Sequence, residues 1–487
     1  MTAFPPPAEG LLAFALSTLA VGTFSWERIR ALTHRPDTYG DSRWAGGRDL
    51  RGLAARPSDV DGAVLGWHGN TVLRLPDEDN LLMFGVQRSG KTSTVVVPTL
   101  LHWPGAALAT STKDELVQLT GRHRALQSAV RVFAPLDTDV EWVTALGLEP
   151  VAWNPISDVA SAGGAAELAD VLTAEGKASR SPHWYLSAAN LLTALFLVAQ
   201  SRGGDVALVL RLLNATPLFA YGGLGDEAGG RAVEILHGFA ATPPDEAGSI
   251  ISTARAALSL WLDDRVVAAT AAAGALPHLD LDRLLSAGET LYLVAPAEDA
   301  ERCRSLFTAL IGALLRKATS RARSTGGVLI PRLLLALDEA ANFARVPRLA
   351  SYVSTGPGQG IQSLLCYHDL AQLRSSYGPD AAATIWNNCR ARLLLPGQAD
   401  PSTLELFSRA LGTETVVDTV KSWSRSHTQT SQSHHGRPLR SVDQLRRSEA
   451  PILVYGTARP ARLTLRRWDQ VPEWKALVDR ARAPSAV

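Results

Sequence analysis

The residues best suited to chemistry are Gly85-Val86-Gln87-Arg88-Ser89-Gly90-Lys91-Thr92, which follow the spacing G-x-x-x-x-G-K-[ST]. Glycines at both ends of such a loop let successive backbone N–H groups turn toward one point, and a following helix adds the partial positive charge of its N-terminus. A polyphosphate is held there with little help from side chains. Lys91 would reach the outer phosphates, and the Thr92 hydroxyl would coordinate Mg²⁺. A second set lies some 245 residues downstream in LLLALDEAANF. Its apolar run reads as a buried strand, which places Asp338 at the strand's C-terminal end, where α/β sheets bind ligands. Asp338 would hold Mg²⁺ and Glu339 would accept the proton of an attacking water. The chemistry implied is phosphoryl transfer from ATP with Mg²⁺.

These groups need strands that end at one edge of a sheet. VLGWHGNTVLRLPDEDNLLMFG alternates around a turn at His68-Gly69-Asn70 and closes on an apolar strand from Asn80 to Phe84. A helix is expected over Thr92 to His102. GAALATSTKDELVQLTGRHR then reads as a strand feeding a capped helix, and SAVRVFAP as another strand. This alternation predicts parallel α/β packing. From Ala152-Trp153-Asn154-Pro155-Ile156 to about Leu285 the chain turns alanine- and leucine-rich with helical periodicity. In WYLSAANLLTALFLVAQ, Leu186, Ala189, Leu192, Phe196 and Ala199 are expected to share one face. Strand character returns at ETLYLVAP and RLLLALDEA. The expected fold is therefore an α/β nucleotide-binding domain over 61–155 and 286–487, with an all-α domain inserted at 156–285 and residues 1–60 as anchor and connector.

The 487 residues, 46% hydrophobic and 20% charged, describe a folded globular chain rather than a disordered one. Net charge is +1, which excludes a wholesale polycation. From Lys421 onward, however, 13 basic residues face five acidic ones. Such a stretch suits phosphates, a membrane surface or plain solvent. Only six of the 48 basic residues are lysine, Lys91, Lys113, Lys177, Lys317, Lys421 and Lys475, so each lysine carries somewhat more information than an arginine. Cys303, Cys366 and Cys389 show neither ligand spacing nor a paired framework, and are expected as reduced thiols. Residues 10–26 form an uncharged run followed by Arg28, Arg30 and Arg35. At the short limit for a span, it predicts one membrane anchor with the remainder of the chain cytoplasmic. No other stretch is expected to reach spanning length without charges.

With RSGKTSTVVVPTLL, TKDELVQLTGRHR, WNPI, HWYLSAANLLTAL, LDEAANFARVPRL, STGPGQGIQ, DLAQLRSSYG and ALGTETV in this order, the chain resembles the type IV secretion coupling proteins, the conjugative DNA-transfer ATPases of the TraG/TraD type. The resemblance runs from about Arg43 to Trp474. It implies a RecA-like nucleotide-binding domain, an all-α domain, an inner-membrane anchor and a homo-hexamer. Partners implied are single-stranded DNA with a relaxase or secreted protein, and the components of a secretion channel. Lys91 and Thr92 match the Walker A positions, and Asp338 and Glu339 the Walker B pair.

Two positions depart from the family pattern. Pro357 stands where an arginine completing a neighbouring subunit's site is common, and His368 where a γ-phosphate-sensing glutamine is common. Proline stabilises no phosphoryl charge, so Arg345, Arg348, Arg390 and Arg392 become candidates for that role. His368 keeps a donor and an acceptor, and either contacts phosphate or caps a strand end. A translocase on double-stranded DNA of the HerA/FtsK type, and a nucleotide-binding scaffold with weakened catalysis, are the alternative functions. KSWSRSHTQTSQSHHGRP, with His427, His434 and His435, is expected as an exposed loop without metal-ligand spacing. Trp142, Trp153, Trp184, Trp386 and Trp423 are expected mainly in the core.

Overall fold

The computed structural model describes residues 39–58, 62–137, 140–177, 182–423 and 428–482. The expected anchor at 10–26 lies outside them. The chain separates into a larger unit, Trp44–Glu405 with the residues from Val442 on, and a smaller one formed by Leu406–Ser441 with the described residues up to Arg43.

In the larger unit β1 (Ala54–Ala55), β2 (Val64–His68) and β3 (Thr71–Arg74) make a small antiparallel sheet in the order β1-β3-β2. The turn between β2 and β3 falls at Gly69-Asn70, as the sequence predicts. Residues 44–58 do more than connect, because Leu50 and Leu53 are buried in this core.

The main sheet contains β4 (Leu81–Phe84), β5 (Ala106–Ser111), β6 (Val130–Phe133), β7 (Glu149–Pro150), β8 (Thr290–Val294), β9 (Leu333–Leu337), β10 (Ile361–Tyr367) and β11 (Ala391–Leu394). After these, β12 (Thr413–Trp423) and β13 (Thr428–Pro438) pair antiparallel as a ribbon in the smaller unit. The expected exposed loop is thus a β-ribbon. Its reading as a loop rested on Ser/Thr/His richness, but Thr413, Thr415, Val417 and Thr419 alternate with a strand's period. Exposure itself holds on the return strand, where Gln432, Ser433 and His435 to Pro438 are exposed.

The chain then rejoins the main sheet with β14 (Ile452–Tyr455) and β15 (Ala461–Arg462). Among the described residues the order is β15-β14-β11-β4-β10-β9-β5-β8-β6-β7, parallel except at the β11–β14–β15 edge. β4, β9 and β10 are buried at every residue, as strands covered on both faces must be. Alternate residues face one continuous core. Leu81, Met83, Ala107, Leu334 and Leu364 pack there with Val96, Leu100, Leu116 and Trp474.

The helices of this unit include α1 (Val97–His102), α2 (Glu115–Ala125), α3 (Ala162–Lys177), α4 (Pro182–Ser201), α5 (Arg304–Ser324) and α6 (Pro472–Arg482). Residues 92–96 wind as a π-turn into α1. α2 carries Glu115 in its first turn and Arg122 and Arg124 in its last, charges that suit both ends of the helix dipole. Between β7 and β8 the described chain is helical apart from one isolated bridge, Ala152–His278. α4 is also a 20-residue uncharged helix apolar enough to cross a membrane, which corrects the expectation that no stretch beyond 10–26 qualifies. Ala188, Leu191, Leu192, Leu195, Phe196 and Val198 are buried on it, the pattern of a core helix. Leu186, expected on the same face as Phe196, is instead 54% exposed, one turn before the helix enters the packed region.

Candidate nucleotide site

β4 is flanked by β10 and β11, and β9 follows β10, so the loops after β4, β9 and β10 open on one edge of the sheet. Gly85 donates its N–H to Tyr367 O at 3.0 Å. A Cβ at Gly85 would lie 2.6 Å from Ser89 Oγ and 2.8 Å from the Leu395 side chain, so glycine is required there. Gly90 has φ 90°, and Arg88 adopts φ 64°, a left-handed conformation with a steric cost of about 1 kcal/mol for a side-chain-bearing residue. The loop is tied by Ser89 N–H and Ser89 Oγ, both donating to Val86 O at 3.2 and 2.7 Å.

Lys91 is buried, and its ammonium donates to Gly85 O at 2.6 Å and to Val86 O at 3.0 Å. The Thr92 hydroxyl donates to Asp338 Oδ2. Asp338 is 5% exposed, and its backbone carbonyl accepts from Thr110 Oγ1 at 2.7 Å. Its second oxygen, Oδ1, is buried without a hydrogen-bond partner. Burial raises the Asp338 carboxyl above its ordinary value, against the pull of Thr92 and Lys91. A buried carboxylate oxygen with no donor, beside a threonine hydroxyl, is a set of hard oxygen ligands that fits Mg²⁺.

Glu339 follows with φ 53° and accepts a hydrogen bond from Asn342 Nδ2 at 3.3 Å. His368 comes directly after β10. Its N–H donates to Gln372 Oε1 at 2.8 Å and its carbonyl accepts from Gln398 Nε2 at 2.7 Å. The ring Nε2 is buried without a partner, and burial, followed by the charge of Lys91, lowers the imidazole pKa. A neutral ring retains one donor and one acceptor.

These groups surround one cleft of about 670 Å³, lined by Gln87 to Ser93, Ser111 to Lys113, Asp338, Glu339, Asn342, His368 and Arg467. The sequence-predicted residues Gln87, Arg88, Ser89, Gly90, Lys91, Thr92, Asp338, Glu339 and His368 are thereby brought together, with Gly85 and Val86 at the loop's base. The four candidate arginines do not line it. Arg345 and Arg348 line a different cavity. Arg390 stands over Tyr455, 5.2 Å from its ring, and Arg392 donates to Trp386 O at 2.8 Å while lying 5.0 Å from that ring. Pro357 is buried in a turn that leads into β10.

Arg467, Asn342 and Lys113 were not read as cleft residues from sequence. Lys113 carried a signal, as one of six lysines, and Asn342 lies in the DEAANF block. Arg467 had none, because it arrives on the segment after β15. There Arg466 stacks 4.2 Å over Trp67, and Arg467 forms a bidentate pair with Asp469 at 3.1 Å for each contact.

The family described as "Type IV secretory system Conjugative DNA transfer" matches residues 48–216, and that described as "TraM recognition site of TraD and TraG" matches residues 332–450. The chain belongs to the type IV secretion coupling protein family. This coupling protein is 26% identical over 459 residues to the conjugal transfer protein TraG of Escherichia coli, covering 83% of this chain and 70% of the relative. It is 26% identical over 469 residues to protein VirD4 of Agrobacterium fabrum, covering 89% and 66%. Its fold matches the plasmid coupling protein TrwB solved with the ATP analogue ADPNP, with a TM-score of 0.61 and 17% identity over 88% of this chain and 93% of that one. TrwB solved with ADP and Mg²⁺ gives a TM-score of 0.58 at 17% identity, covering 88% and 95%.

Proposed function

We propose that the coupling protein binds ATP with Mg²⁺ in the cleft at Lys91 and hydrolyses it to move DNA, with a relaxase or secreted protein attached, toward a type IV secretion channel. The observation that carries this reading is the convergence of Lys91, Thr92 and Asp338. The Walker A hydroxyl touches the Walker B carboxylate, whose second oxygen is buried without a partner.

In this reading backbone N–H groups of Gln87 to Thr92 hold the phosphates, and Lys91 exchanges its two loop carbonyls for phosphate oxygens. Thr92 and Asp338 would hold Mg²⁺, whose positive charge would offset the negative charge developing on the phosphoryl oxygens. Glu339, steadied by Asn342, orients water and takes its proton. His368 presents its unpartnered Nε2 to the terminal phosphate or the attacking water. Arg467 adds a cation from the opposite end of the sequence. Pro357 offers no charge, so any arginine acting across a subunit interface comes from another position.

The wider reading follows the family. Residues 1–60 serve as inner-membrane anchor and connector, 61–155 with 286–487 as nucleotide-binding domain, and 156–285 as an all-α domain that meets cargo, with the chain working as a homo-hexamer on single-stranded DNA. The test of the site is nucleotide binding followed with a fluorescent ATP analogue and Mg²⁺. Lys91→Ala is expected to weaken binding by about 10-fold or more, and Thr92→Ala to remove the Mg²⁺ dependence. Unchanged binding in both variants would place the nucleotide elsewhere.

A further inference from the structure

A second cavity, of about 330 Å³, opens between α3, α5 and the connector that follows Glu339. Four guanidinium groups reach it, Arg304 and Arg316 from α5 and Arg345 and Arg348 from the connector. Carboxylates on α3 and Glu301 before α5 answer much of this charge. Arg316 pairs with Glu167 at 2.9 Å, and Arg304 bridges Glu175 at 3.2 Å and Glu301 at 2.9 Å. Arg348 is only 3.8 Å from the Glu167 carboxylate already taken by Arg316. Arg345 forms no ion pair among the described residues. Arg304 is 9% exposed, and its Nε is buried with no hydrogen-bond partner. Buried donors left in this way are uncommon and costly.

The rest of the wall mixes Asp170, Ser305 and Thr308 with an apolar patch of Leu168 and Val171 from α3 and Pro347 from the connector. The volume suits a small ligand rather than a continuous strand. The connector is also strained at both ends, with Glu339 at φ 53° and Arg348 at φ 58°. Such residues concentrate at functional positions.

We propose that this cavity is a second ligand site, for a nucleoside 5′-phosphate, whose phosphate accepts from Arg345 and Arg316 and whose base rests on the apolar patch. Planar guanidinium forks match phosphate oxygens, and a phosphate displaces Glu167 from its shared position between two arginines. The same chemistry arrives as a free mononucleotide or as the 5′-phosphorylated end of a DNA strand. The site is separate from the Lys91 cleft, so it stands or falls independently of that cleft's function.

The full chain carrying Lys91→Ala, which weakens the first cleft, is titrated calorimetrically with dAMP, with deoxyadenosine and with 5′-phosphorylated tri-deoxyadenylate. A phosphate-bearing probe is expected to bind about tenfold or more tighter than deoxyadenosine, and to lose about tenfold on adding Arg345→Ala or Arg316→Gln. Equal affinity for dAMP and the trinucleotide assigns a free ligand, and tighter trinucleotide binding assigns a strand end. Absence of a phosphate preference, or binding indifferent to both arginine changes, overturns the proposal.

Discussion

Lys91 and Asp338 are oppositely charged groups buried 94% and 95% from solvent, yet neither is paired with the other. Lys91 is satisfied by its own loop, and Asp338 by one hydroxyl on one oxygen. Keeping Asp338 charged therefore costs folding free energy that a bound Mg²⁺ would return. Asp338→Asn is expected to stabilise the nucleotide-free protein by about 1 kcal/mol in chemical unfolding, while lowering Mg²⁺-dependent nucleotide affinity by about tenfold or more. Arg467 is exposed and already shared with Asp469, so it contributes less. Arg467→Ala is expected to weaken nucleotide binding by about 3- to 10-fold in the same fluorescence assay, with melting temperature unchanged. The Walker residues were legible because their spacing is itself the mechanism. Arg467 was not, because only the path of β14 and β15 brings it to the loop, and no local pattern encodes that path.

Among the elements, α2 is held by buried polar contacts as much as by its apolar face. Arg124 is 1% exposed and donates from Nε to Thr290 Oγ1 at 2.8 Å, from one terminal nitrogen to Gly105 O at 2.7 Å, and from the other to Trp103 O and Gln127 Oε1. It joins the turn before β5 to β8. Arg124→Met would leave those carbonyls without a donor, and an unfolding titration is expected to show a loss of about 2 to 4 kcal/mol. α1 and α2 also bring His102 and His123 together, with His102 Nδ1 bonded to Pro98 O at 2.8 Å and His123 Nε2 to Leu101 O at 2.9 Å. Burial lowers both imidazoles below their ordinary value of 6.5. The unfolded chain takes up protons near pH 6.5 that the folded chain refuses. Stability is then full above 6.5 and falls as pH drops below it toward the folded-state pKa values. Denaturant midpoints at pH 7.5 and 5.5 are expected to show this loss, reduced in a His102→Gln/His123→Gln protein. Helices and the strands β4, β5, β8 and β9 were readable because each has a long apolar run or a cap. β11 and β14 were not, since ARLL and ILVY are short apolar runs with no motif or turn beside them to tell strand from helix.

At the scale of the molecule, the sheet order decides the site. β4 lies between β10 and β11, elements that follow it by some 280 to 310 residues, and β9 stands beside β10. The helical run between β7 and β8 therefore interrupts the chain without interrupting the sheet. Sequence showed this interruption as a change of period near Ile156 and a return near Glu289, but the pairing order has no local signature. The β12–β13 ribbon was missed because polar strands lack an apolar stripe. We propose that this sheet edge hydrolyses ATP for DNA transfer. The most direct test is ATP turnover of the purified protein, with single- or double-stranded DNA, beside Glu339→Gln. Wild type is expected to be stimulated by single-stranded DNA and to turn over about 10²-fold or more faster than Glu339→Gln, with both proteins binding ATP. Turnover equal in wild type and Glu339→Gln, despite bound ATP in each, would contradict the account and leave a nucleotide-binding scaffold.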